Sequence, residues 1–204
     1  MNPYARRPSP KWPAPRWASP RWIPLRWIWV ALLPLAACAA QPKPPPAPPP
    51  PPPFAEADAD FVGKAAHIDT FEIAISQLAA SQSANPKIKS YATRTGTDHT
   101  ANRDRLGTIA DQHGATLPTD LTSDENDVLN RLKTEKGRAF DHDFIHIQIE
   151  GHREALPLFQ TAARNATDPA LKSYAADTAP VIQSHLDMAT ALVQHKRHHD
   201  RHHH

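Results

Sequence analysis

A single cysteine, Cys38, serves the whole 204-residue chain, so no disulfide can form within it. Long apolar runs are equally scarce. The clearest, Trp27 to Ala37, contains a proline and is too short to cross a bilayer as a permanent helix. Tryptophan is absent after Phe54 and proline is sparse there, since all 5 tryptophans and 18 of the 23 prolines come before it. That shift in composition marks a domain boundary. Positive charge is also short in the later part: residues 54–194 carry 13 Lys+Arg against 20 Asp+Glu, a net charge of −7. Such a domain argues against nucleic acid as a partner, and the basic character of the whole chain comes from its two ends. Strand signals are almost wholly missing, and about 140 residues suffice for one independent core.

What the first part does have is order. A basic residue followed by tryptophan recurs every five positions, at Lys11-Trp12, Arg16-Trp17, Arg21-Trp22 and Arg26-Trp27. Residues 1–37 therefore have the sequence of parts of a signal peptide, a long basic n-region and then a short apolar core. The core ends in Leu35-Ala36-Ala37-Cys38, which resembles the lipobox of bacterial lipoproteins. That resemblance implies a lipid on Cys38, anchoring to a membrane, and loss of the only thiol that could act as a nucleophile. Ala39 after the cysteine favours the periplasmic side of the outer membrane in a Gram-negative host. Residues 38–53 then form a Pro-rich linker, extended as polyproline II over roughly 40 Å.

Residues 54–194 carry the punctuation of an all-α domain. Asn85-Pro86 and Asp168-Pro169 each pair a capping side chain with proline at the first helical position. Thr122 to Glu125 has capping-box spacing, and Gly114 suits a helix stop. The expected helices are 58–83, 86–113, a short one at 123–135, 138–166 and 169–195. Asn85-Pro86-Lys87-Ile88-Lys89-Ser90-Tyr91-Ala92 matches Asp168-Pro169-Ala170-Leu171-Lys172-Ser173-Tyr174-Ala175. The reading is a four-helix bundle built from two repeated helical hairpins, with the short helix in their connection.

Each long helix has an apolar seam with a titratable residue set into it. The first runs Phe61, Ala65, Ile68, Glu72, Ile75, Ala79; the second Ile88, Ala92, Thr95, His99, Asn102, Leu106, Ile109. The third runs Ile145, Ile149, His152, Leu156, Phe159, Ala163; the fourth Leu171, Tyr174, Thr178, Val181, His185, Met188, Leu192. Counted from the two turns at 1.5 Å per residue, Glu72, His99, His152 and His185 all fall near mid-bundle. A carboxylate there must be neutralised, hydrogen-bonded or bound to a cation. One glutamate and three histidines at one level make a metal-ligand set, with Asp98 as an acceptor behind a ligand. Zinc, iron, copper and manganese all suit it. Pro157 and Pro180 lie five residues from His152 and His185 and should bend their helices, whether beside a pocket or in a surface-facing turn.

Taken together, Phe61-Val62-Gly63-Lys64-Ala65-Ala66, Glu72-Ile73, Thr97-Asp98-His99-Thr100, Ala139-Phe140-Asp141, Gly151-His152, Asp168-Pro169 and Ala179 to Leu186 resemble the domain-of-unknown-function 4142 family. The resemblance implies a ferritin-like four-helix fold and an exported, often lipidated protein, with no established activity. Its recurrent polar positions fall on Glu72, Asp98, His99, His152 and His185. Ferritin-like di-iron oxidases use inward Glu-x-x-His pairs, which this chain lacks. Asp143 and His146 are the nearest echo and flank the seam at Ile145.

Two function classes stay open at this point. In one, a tethered periplasmic bundle binds a metal ion or small ligand through the core cluster; in the other, the bundle is a non-enzymatic envelope scaffold or stress protein and the cluster is a structural network. Catalysis is the least favoured. His142, His146 and Glu150 are expected to form a solvated stripe, and His67 and His113 to be surface or boundary residues. The tail, residues 195–204, holds His198, His199, His202, His203 and His204 and suits weak metal binding. The small apolar residues of the seams fit either a monomer or a dimer.

Overall fold

The computed structural model describes Pro49 and residues 52–201, with side chains through Gln194. The expected signal peptide, Cys38, most of the linker, and His202 to His204 lie outside the described residues. Five helices follow in order: α1 (Glu56–Gln82), α2 (Pro86–Asp111), α3 (Ser123–Thr134), α4 (Gly137–Asn165) and α5 (Pro169–Arg201). Among the described residues there is no strand. Every expected helix end lies within two residues of the observed one except the last, where α5 continues to Arg201 instead of closing at 195.

The caps are where the side chains predict them. Asn85 accepts from the Lys87 amide at 3.0 Å with Pro86 at the first helical position, and Asp168 accepts from the Leu171 amide at 2.8 Å. Thr122 and Glu125 satisfy each other's backbone amides in a reciprocal capping box. Gly114 takes φ +65° just beyond α2, a left-handed conformation that costs glycine little, and Ala115 N–H closes back on the Ala110 carbonyl. Asp58 adds a cap that no local sequence pattern marks. It is buried at the start of α1 and accepts from the Thr167 and Asp168 amides, fastening α1 to the α4–α5 turn.

The pairs α1 with α2 and α4 with α5 form the closest interfaces, and α2 also packs on α5 and α1 on α4. Two apolar clusters fill the interior. One gathers Phe61, Leu106, Phe159, Leu171, Tyr174 and Ile182; the other gathers Ile75, Ala79, Ile88, Tyr91, Phe144 and Ala189. Read along the chain, α1 and α5 run from the first cluster to the second, and α2 and α4 run the other way. These four packed pairs are therefore antiparallel. The two short turns lie at opposite ends, and the α2–α4 connection with α3 must travel the length of the bundle, the single long crossover of ferritin-like folds.

The seams of α1, α4 and α5 differ from the expectation at several positions. Asp69 rather than Ile68 is fully buried on α1; Ala155 and Ala162 replace Leu156 and Ala163 on α4; Ile182 and Ala189 replace Val181 and Met188 on α5. Positions three and four residues apart both fall near one helical face, so periodicity alone leaves a one-residue ambiguity that packing against the neighbouring helices resolves. Pro157 and Pro180 are both exposed, and α4 and α5 continue through them.

Candidate metal centre

Between the two apolar clusters lies a layer of polar side chains: Asp69 and Glu72 from α1, His99 from α2, Gln148 and His152 from α4, and His185 from α5, all buried. The antiparallel arrangement produces this layer, because each helix passes the middle of the bundle at the position where its seam turns polar. His99, His152 and His185 converge, each offering one ring nitrogen to a group whose members all lie within 4.8 Å of one another. His152 Nε2 is 3.4 Å from His99 Nε2 and 3.2 Å from His185 Nδ1.

The second nitrogen of each ring is engaged outward. His152 Nδ1 faces the Gln148 carbonyl at 2.8 Å, His99 Nδ1 faces Asp69 Oδ1 at 2.8 Å, and His185 Nε2 faces Asp98 Oδ2 at 2.9 Å. A carbonyl oxygen only accepts, so His152 donates from Nδ1 and its Nε2 is bare. Donation by His99 to Asp69 and by His185 to Asp98 leaves their inner nitrogens bare as well. Three lone pairs then point at one another with no proton between them. An imidazole whose far N–H is held by a carboxylate or carbonyl is the arrangement that orients metal-ligating histidines.

Protonating the inner face is opposed by burial. Burial pushes both His99 and His185 from the usual histidine range down to about 4, against the opposing pull of nearby carboxylates. Burial also pushes the Asp69 carboxyl well above its ordinary value. Both effects favour neutral groups across the 2.8 Å Asp69–His99 contact: a protonated Asp69 donates to Nδ1 and leaves the ring's own proton on Nε2, whereas an ionised Asp69 accepts from Nδ1 and leaves Nε2 bare for a metal.

Of the expected site residues, three histidines are brought together, and Asp98 takes up the acceptor role behind His185. Glu72 stands slightly apart. Its Oε1 is 3.8 Å from His152 Nδ1, on the side of that ring away from the convergence, and its Oε2 accepts from Gln148 Nε2. Gln148 Oε1 in turn accepts from the Tyr91 hydroxyl at 2.7 Å. Glu72 is thus hydrogen-bonded without a cation. Asp69 and Gln148 were missed by sequence reasoning. A signal for Asp69 existed, because it lies four residues after Ala65 and three before Glu72 on the same seam. The repeat offers a second: carrying the Asn85–Asp168 correspondence through the hairpins sets Asp69 opposite His152, Asn102 opposite His185 and Tyr91 opposite Tyr174. Tyr174 reaches Asp69 Oδ2 at 3.4 Å, so both repeat tyrosines touch this layer.

The remaining histidines lie elsewhere. His142 and His146 are exposed on α4 with ring centroids 4.3 Å apart, in the solvated stripe expected of them, and Glu150 beside them pairs with Arg153. His113 has more partners than expected: it stacks on Phe54 at 3.9 Å, with Nδ1 facing the Pro52 carbonyl and Nε2 facing Asp168 Oδ2. The side chains of the tail histidines lie outside the described residues. No helix among the described residues is long and apolar enough to cross a membrane.

Comparison with known proteins agrees with this architecture. The crystal structure of a DUF305 fragment from Deinococcus radiodurans superposes with a TM-score of 0.64 at 11% identity, covering 71% of this chain and 99% of that one. At that identity the likeness speaks for the fold alone. No curated protein sequence matches. The family model described as "Domain of unknown function (DUF4142)" matches residues 43–192, nearly all of the bundle. The chain belongs to the DUF4142 family.

Proposed function

We propose that the protein is a metal-binding helical bundle of the cell envelope, in which His99, His152 and His185 hold one transition-metal ion. The observation that carries this reading is the convergence of three ring nitrogens whose partner nitrogens each face an oxygen acceptor. The separations of 3.2 and 3.4 Å suit it too. A tetrahedron with metal–nitrogen bonds of about 2.0–2.1 Å has edges of roughly 3.3–3.4 Å, which these two separations match, and all three nitrogens lie within 4.8 Å of one another. Zinc, iron, copper and manganese remain the candidates by ligand chemistry. Glu72 completes the set only if it leaves Gln148. Tethering by lipid on Cys38, on the periplasmic side of the outer membrane, is part of the proposal and is supported by the basic, apolar and Leu-Ala-Ala-Cys order of residues 1–38.

A second reading has its own support. The Tyr91–Gln148–Glu72 chain satisfies Glu72 with side chains alone, as a structural network would. Elemental mass spectrometry separates the two. The full chain and a His99→Ala/His185→Ala variant, both with the tail, are purified under identical conditions. One equivalent of metal more in the parent establishes the core site and identifies its ion; equal metal in both, after exposure to all four candidates, leaves the structural reading.

A further inference from the structure

We propose that His142 and His146 form a second metal site, a two-nitrogen chelate on the outer face of α4 for a divalent ion of the copper(II) or nickel(II) class. The site shares no residue with the core cluster and does not rest on that reading.

The two histidines stand four residues apart, so the helical turn sets one ring above the other on the same face. Both are exposed, and their ring centroids lie 4.3 Å apart. The turn that carries them is fixed from beneath, because Phe144 and Ile145 between them are buried in the second apolar cluster. One ring is also held from the side. His142 Nδ1 faces Asp143 Oδ1 at 3.0 Å, while Asp143 Oδ2 accepts from Arg131 at 2.6 Å and Arg131 donates to Glu135 as well. With Nδ1 engaged, Nε2 is the His142 nitrogen left to a ligand, the carboxylate–imidazole arrangement that orients metal-binding rings. Glu150, one turn further on, is paired with Arg153 at 2.7 Å and lies outside the chelate.

Ring separation names the class of ion. A metal–nitrogen bond of about 2.0–2.1 Å puts each ring centre roughly 3.1–3.2 Å from the ion. Two such rings at a right angle have centroids roughly 4.4 Å apart, and at the tetrahedral angle roughly 5.1 Å. The observed 4.3 Å matches the right angle, which the square-planar and tetragonal sites of copper(II) and nickel(II) provide. Water completes the coordination at so exposed a position.

Folded α4 presents the pair ready-made, whereas the unfolded chain does not hold the rings together, so an ion chelated there stabilises the fold. The test is urea unfolding of the full chain at neutral pH, with and without about 1 mM nickel chloride. The tail and the core cluster are present in every chain compared, and their contributions cancel. Nickel should raise the parent's folded-to-unfolded ratio about 10-fold or more beyond any rise it causes in His142→Ala/His146→Ala. His142→Ala and His146→Ala alone should each lose nearly all of that excess, since one imidazole cannot chelate. An equal nickel effect in the parent and the double variant overturns the site. Single variants that keep the parent's excess overturn the chelate. Neither result bears on the core histidines, which are intact in all four chains.

Discussion

His152 Nε2 stands 3.2 Å from His185 Nδ1 in the middle of the bundle, and the far nitrogen of each ring is already committed, to the Gln148 carbonyl and to Asp98. Two lone pairs face each other where a hydrogen bond would need a proton. That relationship makes the centre sensitive to protons.

Stability of the metal-free protein should fall in acid. His99 and His185 have folded values of about 4 against 6.5 ordinarily, so between these limits the unfolded chain binds more protons than the folded one. The contribution of these rings is therefore complete above about pH 6.5 and declines as pH drops toward 4, by on the order of 3 kcal/mol for each ring, offset in part by Asp69, whose raised carboxyl takes up a proton on folding. Urea midpoints at pH 7.5 and 5.0 measure this; an equal midpoint at both would contradict it.

Gln148 joins two buried groups that otherwise lack partners, the Tyr91 hydroxyl and the Glu72 carboxylate. Gln148→Leu should destabilise the fold by about 2–4 kcal/mol, since both are then left without a hydrogen bond in the interior. Adding Tyr91→Phe should recover part of that loss. Chemical denaturation of the two variants and the parent gives the coupling.

His113 links Phe54, Pro52 and Asp168 at one end of the bundle. His113→Ala should cost about 1–2 kcal/mol and speed amide exchange near Phe54, with the core near His152 unchanged. Hydrogen exchange resolved by mass spectrometry separates the two regions.

His142→Ala and His146→Ala, alone or together, should leave metal-free stability within about 0.5 kcal/mol of the parent, because both rings are exposed. The core metal stoichiometry should likewise be unaffected. Loss, in the pair, of the metal by which the parent exceeds the His99→Ala/His185→Ala chain would place that ion on the surface of α4 instead of in the core.

Cys38→Ser should move the full chain, expressed in a Gram-negative host, from the membrane fraction to the soluble fraction and abolish incorporation of labelled fatty acid. Unchanged fractionation and labelling would refute lipidation at this residue.

Much of the fold is legible in local chemistry. Asn85-Pro86, Asp168-Pro169 and the Thr122–Glu125 box each satisfy backbone groups within a few residues, so the helix boundaries follow from short-range hydrogen bonding. The three histidines are legible too, because a polar residue interrupting an apolar stripe at the same height in several helices has few other places to go.

The seam register of α4 and α5 is a different matter. Ala155 over Leu156 and Ile182 over Val181 are choices among near-equivalent faces, made by how the neighbouring helices crowd them. The same holds for the second rank of the centre: Asp69, Gln148 and Asp98 find His99, His152 and His185 through contacts that, apart from Gln148 with His152, join different helices. The sequence by itself determined which side chains are available and at what height, since the 1.5 Å rise of a helix is the same everywhere. Only the tertiary structure decided which ring nitrogen faces inward and that Glu72 turns to Gln148, because those depend on distances between helices that no local spacing encodes.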